Sequence, residues 1–278
     1  MARRDDLQTP AERSRAARRY WDDEVCGEVY ASGRTPEERF RNHAAARHEL
    51  EPYIRPFARF HQGARQDVLE VGVGMGADHA EWAGHDPRRL AGLDSSPRAV
   101  DSTRRRLEIL GLHSHLAVGD AQHLPFRDAS FDLVYSWGVL PHVPDPAGAI
   151  QEIHRVTRPG GAVRLMLYHH PSIVGDLLWL RYGLLAGRLR TPAAEIYSRH
   201  LESDGTRAFT TERARPMFSA FSSVEIRTQL SFGDLLQGEA GRRHASRALR
   251  VAKRWWPRPL IRRLLPNRGL ALLVEATK

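Results

Sequence analysis

The sequence predicts an α/β fold built on a doubly wound, mostly parallel seven-stranded sheet. Two observations carry this prediction. Short apolar runs alternate with helical patterns from Asp67 onward, and an acidic residue lies at the end of each of the first three runs. Short buried strands that alternate with helices are typical of parallel sheets joined by crossover helices. A helical N-terminal cap and helical lid insertions complete the predicted architecture.

Residues 1–62 are predicted to form the N-terminal cap, and residues 63–278 the main domain. The beginning of the chain is rich in Arg and is interrupted at 31–33, after which Pro36 opens a second helical pattern. Proline is favoured in the first turn of a helix, because its missing N–H would have no partner inside the helix there. We therefore expect helices that cover the main domain rather than a separate folding unit.

Seven apolar runs have the length and composition of buried strands. They are Val68–Val71, Leu90–Leu93, His115–Val118, Phe131–Ser136, Val163–Tyr168, Val224–Leu230 and Leu270–Ala276. The Pro-Gly-Gly sequence at 159–161 predicts a turn just before the fifth strand. Helical spacing at Ala149–Val156 and at Thr211–Phe221 predicts the helices before the fifth and sixth strands, and Thr210 or Thr211 is the expected N-cap of the second.

Two insertions, about 171–209 and 233–268, interrupt the alternation and are predicted lids, because long excursions in compact domains usually form lids or binding loops. The aromatic residues in and before the first insertion either line an acceptor pocket or form a small core of the lid itself. As a group they favour the pocket. They are Tyr168, Trp179, Tyr182 and Tyr197.

The composition is that of a globular protein, with 41% hydrophobic and 27% charged residues in 278. A formal charge of +9 is compatible with an anionic partner such as nucleic acid or a membrane surface. Only Lys253 and Lys278 among the 42 basic residues are lysines, however. This Arg bias fits a GC-rich bacterial genome, which explains much of the charge without such a partner.

The single cysteine, Cys26, excludes an intramolecular disulfide and a cysteine-rich zinc site. The N-terminus is charged throughout and has no apolar signal region, and no apolar run approaches the length of a membrane span. We therefore expect a cytoplasmic protein with no metal site and no stable insertion into a membrane.

Glycines alternate in the turn after the first strand, at Gly72, Gly74 and Gly76, directly after Glu70. Glycine allows unusual backbone angles and close contact with a ligand, because it has no Cβ. The spacing G-x-G-x-G departs from the G-x-G-x-x-G pattern that binds a pyrophosphate. The turn therefore favours a ligand without phosphate groups at this point, although a purely structural turn between strand and helix would look similar.

Acids also follow the second and third strands, at Asp94 and Asp120. A carboxylate at the end of the second strand suits the two hydroxyls of a ribose, and an N-cap of the helix near Ser96 is the alternative role for Asp94. Asp120 beside Ala121 suits an adenine ring with its exocyclic amine, and a surface turn is the alternative. Ligands bind at the carboxyl ends of strands in open α/β sheets, so we expect these acids to lie together.

Five motifs in this order, VLEVGVGMG, AGLDSS, VGDAQHLPF, FDLVYSWGVLPHV and RPGG, resemble the successive motifs of class I S-adenosylmethionine-dependent methyltransferases. The resemblance runs from about Asp67 to Tyr168. The residues within these motifs are similar to those of the small-molecule group that includes ubiquinone, menaquinone and natural-product methyltransferases. It implies a Rossmann-like fold, S-adenosyl-L-methionine as cofactor, S-adenosyl-L-homocysteine as product and a small-molecule acceptor.

The resemblance also implies roles for individual residues. Glu70 and the glycine turn would face the methionine end of the cofactor, Asp94 the ribose, and Asp120 with Ala121 the adenine. Backbone groups after the fourth strand would contact the methionine ammonium, and an aromatic residue of the cap its carboxylate. The predicted cofactor-binding residues are Tyr20, Glu70, Gly72, Gly74, Gly76, Asp94, Ser95, Asp120, Ala121, Ser136 and Trp137. Pro141 departs from the family, where His often precedes the residue at His142.

Methyl transfer needs an aligned nucleophile in a site that excludes water, and it needs a base only where the acceptor must lose a proton. The candidate bases are His142 after the fourth strand and His169 after the fifth. Packing against the pocket wall is the alternative role for His142, and both roles stand open for His169. His170, next to Pro171, is expected at a lid hinge or on the surface.

The basic stretch Arg242–Arg263, with Trp255 and Trp256, is either an amphipathic helix on a membrane interface or a solvated face backed by buried aromatic residues. The second reading is the more common one. Pro257 and Pro259 argue against one continuous helix, because proline interrupts the hydrogen-bond ladder.

Absent motifs narrow the function. The sequence SWGV stands where methyltransferases acting on the amines of nucleic-acid bases have N/D/S-P-P-Y, so a nucleic-acid substrate is not expected. The same fold and cofactor also support cyclisation, decarboxylation or hydroxylation, which remain alternatives. An NAD(P)-dependent oxidoreductase and a non-catalytic module that binds RNA or membranes are the hypotheses from other classes. A homodimer is compatible with all of them.

Overall fold

A computed structural model describes residues 10–23, 25–237 and 253–278. Its centre is one seven-stranded sheet. The strands are β1 (Asp67–Val71), β2 (Arg89–Asp94), β3 (His115–Val118), β4 (Phe131–Trp137), β5 (Thr157–Tyr168), β6 (Ser223–Gln229) and β7 (Ala271–Thr277). They lie in the order β3-β2-β1-β4-β5-β7-β6, and only the pairings of β7 with β5 and β6 are antiparallel. The predicted fold class is confirmed.

The strand order reverses between β1 and β4, which lie side by side although two strands separate them in the chain. Crossover helices leave the sheet in opposite directions at such a point, so a crevice opens above the carboxyl ends of the two strands. The fold therefore places its natural ligand site next to the turn that follows β1.

Helices cover both faces of the sheet and form the cap and the lids. They are α1 (Pro10–Asp23), α2 (Pro36–Leu50), α3 (Ile54–Ala58), α4 (Ala77–Ala83), α5 (Pro97–Leu110), α6 (Pro146–Val156), α7 (Ile173–Trp179), α8 (Ala193–His200), α9 (Thr211–Ala214) and α10 (Arg258–Leu264). A π-helical turn, Leu180–Leu184, extends α7. None of the helices in the described ranges combines the length and the apolar character needed to cross a bilayer.

Local sequence sets where several helices begin. Thr35 and Glu38 form a capping box at the start of α2, in which each side chain accepts a hydrogen bond from the backbone of the other residue. Ser96 caps α5, because its hydroxyl accepts from the N–H of Ala99 at 3.1 Å. The N-cap role considered for Asp94 therefore belongs to Ser96.

Two apolar layers hold the sheet, one on each face. Side chains alternate between the faces along each strand, so Leu69 faces α6 and contributes to one core, while its neighbour Val68 contributes to the other. On the second face, Trp82 of α4 and Tyr135 of β4 pack together with ring centroids 5.6 Å apart. All five residues of β1 are buried, as expected for the centre of a parallel sheet.

Two local predictions were wrong. The Pro-Gly-Gly sequence lies in a bulge inside β5 rather than in a turn before it, since Phe131 pairs with Thr157 and Leu133 with Ala162. The predicted helix Thr211–Phe221 stops at Ala214 and continues as a 3-10 helix to Phe218. Pro216 explains the change, because it has no N–H to continue the α-helical ladder.

The cap is docked on the main domain through polar contacts of α1 and α2. Asp22 of α1 accepts hydrogen bonds from the Ser96 hydroxyl at 2.7 Å and the Arg98 N–H at 3.3 Å. Arg47 of α2 reaches Asp78 of α4.

The division of the chain into a cap and a main domain at residue 62 stays a prediction. Of the second lid, 238–252 lies outside the described residues, and this part of the basic stretch has no structural account.

Candidate functional site

A deep cleft of about 1310 Å³ opens above the carboxyl ends of β1, β2 and β4. The sheet forms its floor, α1 and α2 one wall, and the two lid segments the other. Pockets for one small molecule usually measure about 300–1,000 Å³. The cleft is therefore large enough to hold a cofactor and an acceptor together.

The glycine turn forms part of the floor, and all three of its glycines have positive φ angles of 86° at Gly72, 52° at Gly74 and 73° at Gly76. A Cβ at Gly72 would lie 1.9 Å from Val139, and one at Gly76 would lie 2.8 Å from Thr103. A Cβ at Gly74 would meet no protein atom within 4 Å. Two glycines are thus required by packing, whereas the third exposes backbone to the cleft.

Asp94 lies at the end of β2 and lines the cleft beside this turn. Its two carboxylate oxygens accept hydrogen bonds from the N–H of Gly74 at 3.0 Å and of Ser96 at 2.9 Å. Burial raises the pKa of this carboxyl, and the backbone N–H groups oppose the rise. Each oxygen retains a second lone pair, so the carboxylate can still accept from a ligand hydroxyl.

Asp120, Ala121 and Ser95 also line the cleft. Oδ1 of Asp120 accepts from the N–H of Gln122 at 2.9 Å, and the amide of the Gln122 side chain lies 3.1 Å from both carboxylate oxygens. Asp94 and Asp120 follow adjacent parallel strands, β2 and β3. The structure therefore brings together the acids expected to meet at this edge of the sheet.

Glu70 forms a buried contact with His79, whose Nδ1 lies 2.9 Å from Oε2 of Glu70. Nε2 of His79 donates to Ser114 Oγ at 2.8 Å, because the Ser114 hydroxyl itself donates to Leu90 O. Burial raises the pKa of Glu70 well above its usual range and lowers that of His79 to about 3. Glu70 thus lines the cleft while its carboxyl group is held by His79.

Of three other predicted cofactor-binding residues, two line the cleft and one is fully buried. Tyr20 of α1 and Trp137 at the end of β4 line the cleft. Ser136 is fully buried, and its hydroxyl donates to Val71 O at 2.8 Å. The Ser136 side chain is thus used to join β1 to β4, which leaves only backbone groups at this position for a ligand.

His142 lines the cleft within a cluster of polar and aromatic side chains. Its Nδ1 shares a hydrogen bond of 2.8 Å with Ser203 Oγ, and its Nε2 lies 3.1 Å from Oε2 of Glu202. The hydroxyl of Tyr168 donates to the same Glu202 oxygen at 2.6 Å. Trp21 of the cap packs edge-on against the imidazole. The imidazole is thus held through Nδ1 at the wall of the cleft, and its Nε2 makes no hydrogen bond within the described residues.

His169 and His170 lie outside the cleft lining. His169 is buried, and its Nδ1 donates to Gly269 O at 2.9 Å. Burial lowers the pKa of both residues. His170 packs edge-on against Tyr197 of the first lid. The geometry therefore separates His142 from the two later histidines, which the sequence could not do.

The pocket interpretation of the lid aromatic group was wrong for Trp179, Tyr182 and Tyr197, which do not line the cleft. Tyr168 lines the cleft, but Tyr197 is buried in the lid and shares a hydrogen bond of 2.6 Å with Ser172 Oγ. Tyr182 stacks on His200 at a centroid distance of 3.8 Å. The lid side is mainly aliphatic instead. Its apolar lining residues are Val174, Leu177, Leu178, Leu180, Leu185, Leu201, Phe232, Leu236 and Trp256, and Arg181, Glu202, Gln237 and Lys253 are the longer polar ones.

An ion pair at the cap wall was missed by the sequence reasoning. Arg47 and Asp78 line the cleft and form a two-pronged contact of 2.8 and 2.5 Å. Asp78 also accepts from the hydroxyl of Tyr135 at 2.8 Å, and it is 3% exposed. Arg47 is one of 42 basic residues, and no local pattern distinguishes it.

Within the described ranges, no three His, Cys, Asp or Glu side chains converge as metal ligands would.

Residues 69–165 match the family model described as a methyltransferase domain. The chain is 32% identical over 145 residues to the demethylmenaquinone methyltransferase of Geobacillus stearothermophilus, a match covering 50% of this chain and 61% of that protein. It is 32% identical over 111 residues to methyltransferase GfsG of Streptomyces halstedii, covering 39% and 40%. The chain spans less than two thirds of the length of these curated relatives.

Solved structures with the same fold agree with this family match. The S-adenosylmethionine-dependent methyltransferase from Mesorhizobium loti has a TM-score of 0.53 at 17% identity, over 82% of this chain and 96% of that one. A chain from the complex between the Haloferax volcanii Trm112 methyltransferase activator and a methyltransferase has a TM-score of 0.54 at 20% identity, over 87% and 97%. At these identities the likeness concerns the fold.

Proposed function

The chain contains a domain of the class I S-adenosylmethionine-dependent methyltransferase family, and from that premise we propose that the protein methylates an oxygen, nitrogen or carbon atom of a small molecule. S-adenosyl-L-methionine supplies an electrophilic methyl group when bound. The protein's own task is then to align the acceptor with that group and to exclude water.

One observation carries the assignment of the cofactor site. The glycine turn, Asp94 and Asp120 follow three adjacent strands and line the same cleft. The unobstructed backbone at Gly74 leaves room for a ligand directly against the turn. In this proposal Asp94 binds the ribose, Asp120 and Ala121 the adenine, and the turn with Tyr20 the amino-acid end. The turn fits a cofactor that has no phosphate to bind here.

We assign the general base to His142, for acceptors that must lose a proton. Its imidazole lines the cleft, Ser203 holds Nδ1, and Nε2, which has no hydrogen bond within the described residues, lies 3.1 Å from Oε2 of Glu202. A carboxylate beside a histidine stabilises the imidazolium that forms when the ring takes a proton. His169 has no comparable position, since it donates to Gly269 O outside the cleft.

The finer parts of the proposal concern setting and partners. We propose an acceptor among bacterial secondary metabolites, a cytoplasmic location and no nucleic-acid substrate. The match to a Streptomyces methyltransferase supports the first point, and SWGV after β4 supports the last. A homodimer remains a prediction that no contact in a single chain tests.

Calorimetric titration of the protein with S-adenosylhomocysteine, and separately with NAD, tests the proposed function. We expect S-adenosylhomocysteine to bind and NAD not to bind, because the turn has the spacing of a site without a pyrophosphate. Binding of NAD without binding of S-adenosylhomocysteine would overturn the proposal. Candidate acceptors are then incubated with S-adenosylmethionine, and mass spectrometry identifies those that gain one methyl group.

The His142→Gln variant tests the proposed base with the acceptor found in that screen. We expect kcat to fall by about 100-fold or more for a hydroxyl or amine acceptor, while the Kd for S-adenosylhomocysteine stays the same, because Gln cannot exchange a proton. His170→Gln is the matched control and should retain full activity. A kcat for His142→Gln within twofold of the unchanged protein would remove His142 from the mechanism.

A further inference from the structure

Most of the exposed large apolar side chains of the described residues lie in two segments of the chain that both border the cleft. Eleven large hydrophobic residues are exposed, and eight of them lie in segments 180–190 and 253–265, which we call the rim surface. Leu185 and Trp255 are the most exposed, at 76% and 79%. The others on this surface are Leu180, Leu184, Leu189, Leu260, Leu264 and Leu265. Clustered exposure of this kind marks an interaction site.

The rim surface is also strongly basic. Its two segments contain eight of the 42 Lys and Arg residues of the chain and none of the 33 Asp and Glu residues. They contribute +8 to a chain whose formal charge is +9, so the rest of the sequence is nearly neutral. A codon bias would distribute Arg along the whole chain, among the acidic residues. It does not account for two segments that contain basic residues and no acidic ones.

Five of these cations are exposed and have no carboxylate at ion-pair distance within the described part of the chain. They are Arg188, Arg190, Arg254, Arg262 and Arg263. Leucine and arginine are neighbours in both segments, in Gly187-Arg188-Leu189-Arg190 and in Arg262-Arg263-Leu264-Leu265. The surface therefore offers apolar side chains and positive charges to the same partner.

The helix α7, which runs into the first segment, packs on the second segment through a small core, and one buried acid ties it further to the domain. Ile173 and Leu177 of the first lid pack with Ile261 and Trp256 of the second. Asp234 accepts from the N–H of Val174 at 3.1 Å and of Leu270 at 2.7 Å, so it ties α7 to the beginning of β7. The first segment, which continues α7 as a π-helical turn, is thus connected to the second through the packing of α7.

This surface surrounds the lid side of the cleft. Leu180 and Leu185 of the first segment and Trp256 of the second line the cleft, where Val174, Leu177, Leu178, Leu201 and Leu236 also contribute aliphatic side chains. A molecule that leaves an apolar phase at the rim would therefore meet apolar side chains of both segments at the mouth of the cleft. The aliphatic wall suits an acceptor with a hydrocarbon portion.

We propose that the rim surface docks the protein on an anionic lipid bilayer and that the acceptor is a lipophilic molecule taken from it. The charge of the bilayer surface complements the cations, its acyl region accepts the leucines, and Trp255 is suited to the interface. The docking stands on the surface alone, whereas the identity of the acceptor rests on the proposed function.

Other occupants of the rim surface fit less well. A symmetric pairing with a second copy would place eight cations opposite eight cations. RNA would engage the arginines, but single strands are bound through stacked aromatic rings, and seven of the eight exposed apolar residues here are leucines. Only a partner with both negative charge and an apolar interior uses all of the surface.

Sedimentation with vesicles tests the docking without cofactor or acceptor. We expect the protein to bind vesicles of equal parts phosphatidylcholine and phosphatidylglycerol, and to bind neutral phosphatidylcholine vesicles at least about 30-fold more weakly. Arg262→Glu with Arg263→Glu should weaken binding to the mixed vesicles by at least about 30-fold, because each cation near an anionic surface contributes about fivefold. Leu185→Ser with Leu264→Ser should weaken it by about tenfold for each leucine.

Matched controls change the same residue types elsewhere on the surface. Arg105→Glu with Arg127→Glu, and Leu110→Ser, should bind the mixed vesicles within about twofold of the unchanged protein. Leu110 is 54% exposed, as Leu260 of the rim surface is. Calorimetry with S-adenosylhomocysteine on every variant shows that the cofactor site is intact.

Three results would overturn the docking proposal. They are no binding to the mixed vesicles, equal losses in the rim and control variants, and rim-dependent binding of a single-stranded RNA oligonucleotide or of a second copy in place of vesicles. Binding of S-adenosylhomocysteine without vesicle binding would refute the docking and leave the proposed function standing. Vesicle binding without S-adenosylhomocysteine binding would refute the proposed function and leave the docking standing.

Discussion

The Asp94→Ala variant is expected to bind S-adenosylhomocysteine at least about 100-fold more weakly than the unchanged protein. Two hydrogen bonds from ribose hydroxyls to a carboxylate contribute roughly 1.5–3 kcal/mol each, and alanine can accept neither. The same carboxylate orders the turn through the N–H groups of Gly74 and Ser96. Both losses act in the same direction, and calorimetric titration measures their sum.

Two further variants distinguish the contact with the ligand from the ordering of the turn. Asp94→Asn keeps the size and one acceptor oxygen, so it should bind with an intermediate affinity. Asp128→Ala, at an exposed carboxylate paired with Arg155 at 2.7 Å, should bind as the unchanged protein does. Thermal unfolding of each variant reports whether the fold is retained. Equal affinity of Asp94→Ala and the unchanged protein would refute the cofactor assignment.

The Asp78→Ala variant is expected to lower the free energy of unfolding by about 3–5 kcal/mol, because it leaves the guanidinium of Arg47 without its partner in a largely buried site. Asp78 also accepts from the hydroxyl of Tyr135, which would lose its acceptor. Arg47 and the neighbouring hydrogen bonds lower the pKa of Asp78 below its usual range. Its stabilising contribution therefore persists until the pH falls far below the ordinary range of a carboxyl group.

Denaturant unfolding, followed by circular dichroism, measures this loss. Asp101→Ala is the matched control, since Asp101 forms an ion pair with Arg104 on α5 and its side chain is 72% exposed. Exposed pairs contribute about 0–1 kcal/mol, so the control should unfold almost as the unchanged protein does. Similar losses in the two variants would show that the contact between cap and α4 does not stabilise the fold as the geometry indicates.

Much of the sheet could be predicted because its signals are local. The strand residues alternate between two buried faces, and the run in β1 is apolar apart from Asp67 and Glu70. The glycine turn and the acids after β2 and β3 were visible for the same reason, since the end of a strand is a position in the sequence as well as in space. The bulge in β5 was missed, because its register depends on pairing with β4.

The acceptor side could not be predicted, because its residues meet only through the tertiary fold. His142 contacts Ser203, 61 residues later, and Arg47 contacts Asp78, 31 residues later. The aromatic residues of the first lid looked like a pocket in sequence, yet Tyr197 is buried by Ser172 and Gly175 within the lid. Which side of a lid faces a cleft depends on how the lid packs, and no local pattern encodes that.

The sequence by itself therefore determined the class of fold, and it predicted the cofactor and the edge of the sheet where the cofactor is expected to bind. Backbone angles at glycine and the alternation of apolar residues depend on a few neighbouring positions, so they can be recognised in the sequence alone. Only the tertiary structure decided which histidine lines the cleft and which ion pair joins the cap to α4. It also decided that two segments far apart in the chain, both with basic and exposed apolar residues, border the same cleft as the rim surface. These features arise from contacts between segments far apart in the chain, whose free energies are set by packing.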